Sequence, residues 1–443
     1  MSEIATLKDV SELITKGTTP TSIGGQFVSS GINFIKSESI TNSKYLNQEV
    51  FGFIDEETDN KLKRSKLAKD DLLFSIAGAY LGKIGIVRDI DLPANTNQAS
   101  GIVRLKKGIA DVDYVYYYFS QNEINRYIQK LSSQSSQPNL NLELLGKLEF
   151  DLKDISTQQK IGSVLSSLDS KIELNNRINA ELEAMAKTLY DYWFVQFDFP
   201  DKNGKPYKTS GGKMVWNNEL KREIPKGWEV KELSVVASSI MRGISPKYIE
   251  NGGICVLNQK CIRDKSINFE PSRRHDNESK DATSKLIQYG DVLVNSTGFG
   301  TLGRVALVKR LKEPITIVDS HITIVRCHNQ NIKKLFLGYS MLIRQNEIEG
   351  LAEGSTGQTE LSRINLGQLK MVIPPIEMQS VFENFINPQL QKIANNEGEN
   401  EQLSELRDWL LPMLMNGQVT VCSSTTSYEI EEEMKMAVEP GKR

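Results

Sequence analysis

DDLLFSIAGAYLGKIGIV, residues 70–87, and GDVLVNSTGFGTLGRVALV, residues 290–308, are two versions of one element. The second contains Gly298-Phe299-Gly300-Thr301-Leu302-Gly303, the G-x-G-x-x-G spelling of a dinucleotide-binding fingerprint, with Asp319 about twenty residues further on. That fingerprint needs its glycines to open a helix whose N–H groups meet a pyrophosphate. Here Gly303 leads into Arg304-Val305-Ala306-Leu307-Val308, a β-branched apolar run that reads as a strand. Strand, glycine turn, strand is a hairpin or bulged corner, with glycine supplying positive φ. In the earlier stretch Asp71-Leu72-Leu73-Phe74 stands for Asp291-Val292-Leu293-Val294, Gly78 for Gly298, and Leu81-Gly82-Lys83 for Leu302-Gly303-Arg304. Tyr80 replaces the middle glycine, so the nucleotide spelling is lost where the turn is kept. The element is a structural corner that the chain uses twice.

The duplication extends through the chain at a separation of about 221 residues, far longer than a solenoid repeat. Ile102-Val103-Arg104 matches Ile324-Val325-Arg326, Gln121-Asn122-Glu123-Ile124 matches Gln345-Asn346-Glu347-Ile348, and Leu145-Gly146-Lys147-Leu148 matches Leu366-Gly367-Gln368-Leu369. Gln159 pairs with Gln379, and Leu182, Met185 and Leu189 with Leu403, Leu406 and Leu410. Two similar domains with pseudo-two-fold symmetry are expected, as in a homodimer.

Each copy begins with a mixed strand and helix part of about 150 residues, the size of one domain. It ends in a long helix. In the first copy the helix starts near Ser156-Thr157-Gln158-Gln159, with Ser156 or Thr157 as N-cap. Ile161, Leu165, Leu168, Ile172, Asn175, Asn179, Leu182, Ala186, Leu189 and Trp193 step by four and three, a heptad seam. From Ser156 to Trp193 such a helix spans about 57 Å. The second helix follows Pro374-Pro375 and runs through Val381, Phe385, Leu390 and Ile393. Pro388, Gly398 and a polar middle weaken it before Leu403, Leu406, Leu410 and Leu414, and it stops near Asn416-Gly417. A lone seam helix cannot bury its stripe, so the two are expected to pair antiparallel. The stretch between the copies is rich in Gly, Pro and Lys and reads as an exposed connector. The tail from Cys422 is expected to be poorly ordered.

The 443-residue chain can hold two good cores. With no signal pattern and no apolar run near 18 residues, a cytoplasmic protein is expected. Cys255, Cys261, Cys327 and Cys422 fit no disulfide framework. Three of them with His328 could in principle hold zinc, but without paired C-x-x-C spacing they read as buried thiols. Net charge is −2, yet residues 200–375 carry 27 Lys and Arg against 18 Asp and Glu, and residues 376–443 carry 5 against 12. A basic second domain is an electrostatic footprint for phosphate. KLKRSKLAK, residues 61–69, concentrates five positive charges in the first.

Catalytic motifs are scarce. His275, His321 and His328 have no counterparts in the first copy, so no acid–base pair is duplicated. No HExxH or P-loop occurs. Nor does an Asn-Pro-Pro or Asp-Pro-Pro aromatic run, and Glu278-Ser279-Lys280 is a nuclease-like tripeptide of the kind that arises by chance. The chain reads as a binder without chemistry of its own.

ISTQQKIGSVLSSLDSKIELNNRINAELEAMAKTLYDYWFVQFDFP, residues 155–200, resembles the central helix of the specificity subunit of Type I restriction–modification enzymes. NGKPYKTSGGKMVWNNELKREIPKGWEV, residues 203–230, is similar to that family's connector. SSQSSQPNLNLELLGKLEF, residues 132–150, and GSTGQTELSRINLGQLKMVIPP, residues 354–375, resemble closing signatures of its target-recognition domains. The second domain opens with Pro225-Lys226-Gly227-Trp228. The first, at residues 1–6, has no such tryptophan, so its first strand is expected to be trimmed or short.

The resemblance implies an α+β protein: two similar globular target-recognition domains separated by two long antiparallel coiled-coil helices, with pseudo-two-fold internal duplication. The expected division is recognition domain 1–155, helix 156–198, connector 199–225, recognition domain 226–374, helix 375–417 and tail 418–443. Each domain would read one half of a bipartite double-stranded DNA target. The helix pair would set the spacer and dock two methyltransferase subunits, and two motor–nuclease subunits would complete the complex. Those partners would carry S-adenosylmethionine, ATP and magnesium; this non-catalytic subunit would carry no cofactor and no metal. DNA-contacting candidates are Ser135, Ser136 and Gln137, then Ser355, Thr356, Gly357 and Gln358, and the basic Lys61, Lys63, Arg64, Lys66, Arg273 and Arg274. The expected seam between helices is Ile161, Leu165, Leu168, Ile172, Leu182, Leu189, Trp193, Leu403, Leu406 and Leu410. A structural adaptor, or a fragment of a methyltransferase fusion, would share the duplication but not DNA binding dependent on a partner methyltransferase.

Overall fold

The computed structural model describes residues 3–41, 43–132, 139–278, 281–327, 332–354 and 359–421. The chain divides into two compact units, Met1–Leu174 with Glu399–Arg443, and Asn175–Gly398. Each therefore includes a stretch of both long helices.

The same strand order occurs in both. In the first unit Ser11–Lys16, Ser100–Leu105, Leu72–Ser75 and Ile84–Ile86 lie side by side in one sheet. Phe27–Val28, Gly52–Ile54, Ile32–Ile35 and Ala94–Thr96 form another. In the second unit the corresponding sheets are Ala237–Arg242, Ile322–Cys327, Val292–Asn295 and Val305–Leu307, then Tyr248–Ile249, Arg273–His275, Ile254–Leu257 and Thr316–Val318. A parallel strand pairing falls at the same place in each unit, Ile32–Ile35 with Ala94–Thr96 and Ile254–Leu257 with Thr316–Val318. The second unit adds a small hairpin, Ile262–Arg263 with Ser266–Ile267, turning on Asp264 and Lys265 at φ 49° and 62°.

The expectation of a shortened first strand is overturned. Glu3–Thr6 pairs with Glu149–Leu152 through four residue pairs, as Glu229–Glu232 pairs with Lys370–Ile373. What closes this ladder is the partner strand just before the long helix, not the tryptophan that precedes it in the second copy.

The repeat also holds for buried side chains. Asp71 accepts from Arg104 Nε at 2.7 Å and Nη2 at 2.8 Å, and from the Ala68 N–H at 2.8 Å. Asp291 accepts from Arg326 Nε at 2.8 Å and Nη2 at 2.6 Å, and from the Gln288 N–H at 2.8 Å. Each aspartate holds the turn before its strand and the arginine of the strand beside it. Gly17 and Gly243 are also equivalent. A Cβ on Gly17 would lie 2.2 Å from the carbonyl oxygens of Thr96 and Asn97, and one on Gly243 would lie 2.1 Å from that of Asp319. Both positions need glycine because backbone passes against backbone.

The first long helix spans Ile155–Tyr190. Its cap is Asp154, which accepts from the Thr157 N–H at 3.0 Å and from Thr157 Oγ1 at 2.6 Å. Ser156 and Thr157, expected as caps, are already inside the helix. The Thr157 hydroxyl and N–H hold the Asp154 carboxyl below the usual range. After Tyr190 the coil widens into a π-turn over Asp191–Val195. The slip in period buries Phe194, while Trp193, the expected seam residue, is half-buried. The second helix runs unbroken from Ile376 to Met415, through Pro388 and Gly398.

Within each unit the helices pair antiparallel. In the first, Asp169 bonds Arg407 at 2.7 Å and Lys171 faces Glu399 at 3.5 Å. Ile161 and Leu165 share a core with Leu410, Leu414 and Met415. In the second, Asn179 accepts from Asn396 at 2.8 Å, and the Tyr190 ring meets Phe382 edge-on at 5.8 Å. Leu168 and Ile172 are half-buried, as are Leu182, Leu189 and Leu403. Leu406 departs from the expected seam: it is 43% exposed, and Arg407 takes the inward position against Asp169. The equivalence of Gln159 with Gln379 is also corrected. Gln158 accepts from the Asp111 N–H and donates to the Lys153 carbonyl, and Gln379 does the same with Lys333 and Pro374. Each glutamine joins the strand-rich part of its unit to the start of its helix.

The stretch expected as an exposed connector is exposed or half-buried from 200 to 223, and its ends dock on the second unit. Phe199 stacks on Tyr207 at 4.6 Å and on Trp228 at 5.2 Å, with Phe197 edge-on to Trp228. Met214–Asn217 pairs with Arg222–Pro225 as a hairpin. Four aromatics spaced between glycine turns supply an apolar core that the Gly, Pro and Lys composition conceals. The tail from Cys422 lies outside the described residues.

Candidate nucleic-acid interface

The stretch GFGTLG is a turn between antiparallel strands Val292–Asn295 and Val305–Leu307, with no helix opening from it. Gly298, Gly300 and Gly303 have φ of 108°, 68° and 80°, values that only glycine adopts without strain. The Thr301 and Leu302 N–H groups donate to the Gly298 carbonyl, and the Gly303 N–H donates to that of Asn295. The Asn295 side chain binds the carbonyls of Gln259 and Thr301, and Arg304 Nη2 binds that of Gly300 at 2.8 Å. The turn is thus fixed from both sides, and it presents Phe299 at 98% exposure.

Beside it is a cleft of about 300 Å³ lined by Tyr248, Asn258, Gln259, Lys260, Arg273 and Asp319. The turn rests on Gln259: a Cβ on Gly298 would lie 2.2 Å from Gln259 Oε1. Asn258 shapes the loop by accepting from the Lys260 N–H at 2.9 Å and donating to the Pro271 carbonyl at 2.6 Å. Arg273 lays its guanidinium over the Tyr248 ring, 4.8 Å from its centre. Neither Arg273 nor Lys260 has an acidic partner among the described residues. Asp319 is the buried acid of the cleft; burial raises its pKa, opposed by the His321 N–H that it accepts. Two uncompensated cations, a planar amide and an exposed ring on one concave surface suit a polyanion carrying flat, hydrogen-bonding groups.

The basic residues expected to touch DNA divide. Arg273 and Arg274 are neighbours on strand Arg273–His275 and point to opposite faces. Only Arg273 reaches the cleft. Arg274 bonds Glu313 at 2.6 Å, which raises its pKa. In the first unit Lys61 pairs with Glu57 at 2.6 Å and Lys66 with Asp59 at 2.5 Å, while Arg64 donates to Thr18. Lys63 is exposed, with no acidic partner among the described residues. Ser135, Ser136, Gln137, Ser355, Thr356, Gly357 and Gln358 lie outside the described residues. Tyr248, Asn258, Gln259, Lys260 and Phe299 were missed by sequence reasoning; the one local signal for them was an aromatic inside a triple-glycine turn.

Cys255 and Cys261 are buried free thiols, and burial pushes Cys261 up to about 11. Among the described residues no group of three or more His, Cys, Asp or Glu could hold a metal ion. No helix among them is long and apolar enough to cross a membrane.

The family model for the Type I restriction modification DNA specificity domain matches twice, over residues 2–184 and 225–405. The Type I restriction enzyme MjaIX specificity subunit of Methanocaldococcus jannaschii is 27% identical, over 95% of this chain and 94% of that one. The HindI specificity subunit of Haemophilus influenzae is 23% identical, over 87% and 94%. A crystal structure of the S subunit of a Type I restriction–modification system from M. genitalium shares the fold. Its TM-score is 0.57 at 15% identity, over 94% of this chain and 96% of that one. Two matched domains in the order of the internal repeat, with relatives aligned nearly end to end, place this chain in the family of Type I restriction–modification specificity subunits.

Proposed function

We propose that the chain is the sequence-specific DNA-binding subunit of a Type I complex, each unit reading one half of a bipartite target. The observation that carries this is the cleft of the second unit, where Arg273 and Lys260 stand without acidic partners beside the glycine turn. In this reading the cations meet phosphate and set register, and Gln259 and the buried Asp319 face base edges, while Asn258 is spent on shaping the loop. A carboxylate accepts from the amino group of cytosine.

The helix pair would set the spacer and dock two methyltransferase subunits. Half-exposed Met185 and Leu406 occupy equivalent positions on the two helices, which fits one type of partner binding twice. Two motor–nuclease subunits would join them. S-adenosylmethionine, ATP and magnesium belong to those partners in this reading, and the complex works in the cytoplasm without a membrane. The test is electrophoretic retention of random-sequence duplex by the full chain, with and without its methyltransferase subunit. Mapping of methylated adenines in cells carrying the complex would then print a split target. Absence of retention in both mixtures would remove the reading.

A further inference from the structure

Phe299 has no structural use within its unit. Its ring is 98% exposed, although burial stabilises a large apolar side chain. The turn that carries it is held by backbone bonds, by Asn295 and by Arg304, so exposure does not come from looseness. Both ring faces are open. The turn adjoins the cleft of Lys260 and Arg273, so whatever meets the ring also meets two uncompensated positive charges. The equivalent turn of the first unit carries an aromatic as well: Tyr80, half-exposed, with Lys83 Nζ 5.0 Å from its ring centre. An aromatic on the glycine turn with cations close by, in both units though at neighbouring turn positions, is a surface for stacked bases within a phosphate backbone.

We infer that Phe299 is a wedge that enters the base stack of the half-site bound by the second unit, unstacking one step while Arg273 and Lys260 hold the flanking phosphates. The inference rests on the DNA-binding reading above and adds to it a named residue and a deformation of the DNA. Sequence preference at that step would come from how readily it unstacks rather than from hydrogen bonds, and pyrimidine–purine steps yield most readily.

The experiment uses the full chain with its methyltransferase subunit and a random-sequence duplex pool. Bound duplex is probed with permanganate for unstacked thymines and diethyl pyrocarbonate for unstacked purines. The wild type should produce one hyper-reactive step in the recovered duplexes. Phe299→Ala should remove that reactivity and weaken retention about tenfold or more, and Phe299→Trp should restore both. A turn residue this exposed tolerates alanine without unfolding, which circular dichroism would check. Wild-type retention with reactivity unchanged in Phe299→Ala would overturn the wedge and leave the DNA-binding reading intact. So would unchanged DNA retention together with lost self-association in Phe299→Ala, which would make the ring a contact between copies. No retention by the wild type would remove both.

Discussion

The paired aspartates Asp71 and Asp291 allow one substitution to be made twice in one chain. Asp71→Ala removes both acceptors of Arg104 and the acceptor of the Ala68 N–H; Asp291→Ala does the same to the Gln288 N–H and removes the carboxylate from Arg326, which keeps the Leu286 carbonyl at 2.8 Å. The aspartate side chains are 0% and 3% exposed, and their arginines are 30% and 24% exposed. Breaking a fully buried pair costs about 3–5 kcal/mol. Water can reach each orphaned guanidinium, which reduces that figure, while the lost turn bond adds about 1 kcal/mol. Each variant should therefore lose about 3 kcal/mol. For units of this size that is a fall in melting temperature of about 6–12 °C. Urea unfolding followed by hydrogen exchange locates the loss: in Leu72–Ser75 and its neighbours for Asp71→Ala, and in Val292–Asn295 and its neighbours for Asp291→Ala. Losses under 1 kcal/mol, or a large loss at one site and none at the other, would refute the equivalence of the two pairs.

Arg407→Met should lose about 2–4 kcal/mol by leaving Asp169, among the described residues, with Tyr117 alone as partner, and Asp169→Leu in the same chain should recover much of it, read by urea midpoint. Gly243→Ala, with its Cβ 2.1 Å from a carbonyl oxygen, should cost about 1–3 kcal/mol or more by thermal melting. Because Thr157 depresses the Asp154 carboxyl, its cap is fully present above the unfolded value of about 4 and is lost as pH falls through the lower folded value. Asp154→Ala should therefore abolish that acid-side loss of protection in the first helical turn, measured by hydrogen exchange. Arg273→Ala and Lys260→Ala should each lower the salt slope of DNA retention by about one unit, whereas Arg274→Ala should weaken folding and leave the slope unchanged.

The duplication made the fold legible, because one copy checks the other. Asp71 with Asp291 and Arg104 with Arg326 were matched as letters, and the structure joins them into identical ion pairs. The glycine fingerprint was rejected for the reason that the structure gives, a strand where a helix was required. Periodicity failed at one-residue resolution. Heptad counting admits either Leu406 or Arg407 to the inner face, and only the buried Asp169 across the seam decides it. The connector is exposed as its turn residues imply, and the few aromatics that anchor its ends are outnumbered by them. The cleft was invisible because residues 248, 258–260, 273 and 319 are far apart in sequence and meet only through strand pairing.

The first unit is completed by chain from the far end of the sequence. Leu410, Leu414 and Met415 pack into its core and Arg407 closes its buried ion pair, whereas the second unit is one uninterrupted run from 175 to 398. On the ribosome, then, the order of finishing is the reverse of the order of starting. The part translated first must wait, with Ile161, Leu165 and Asp169 still lacking their partners on the second helix, until more than two hundred further residues have emerged. A message that stops between Gly398 and Arg407 would release a finished second unit joined to an unfinished first one. That species offers proteases and chaperones an exposed half-helix as their signal.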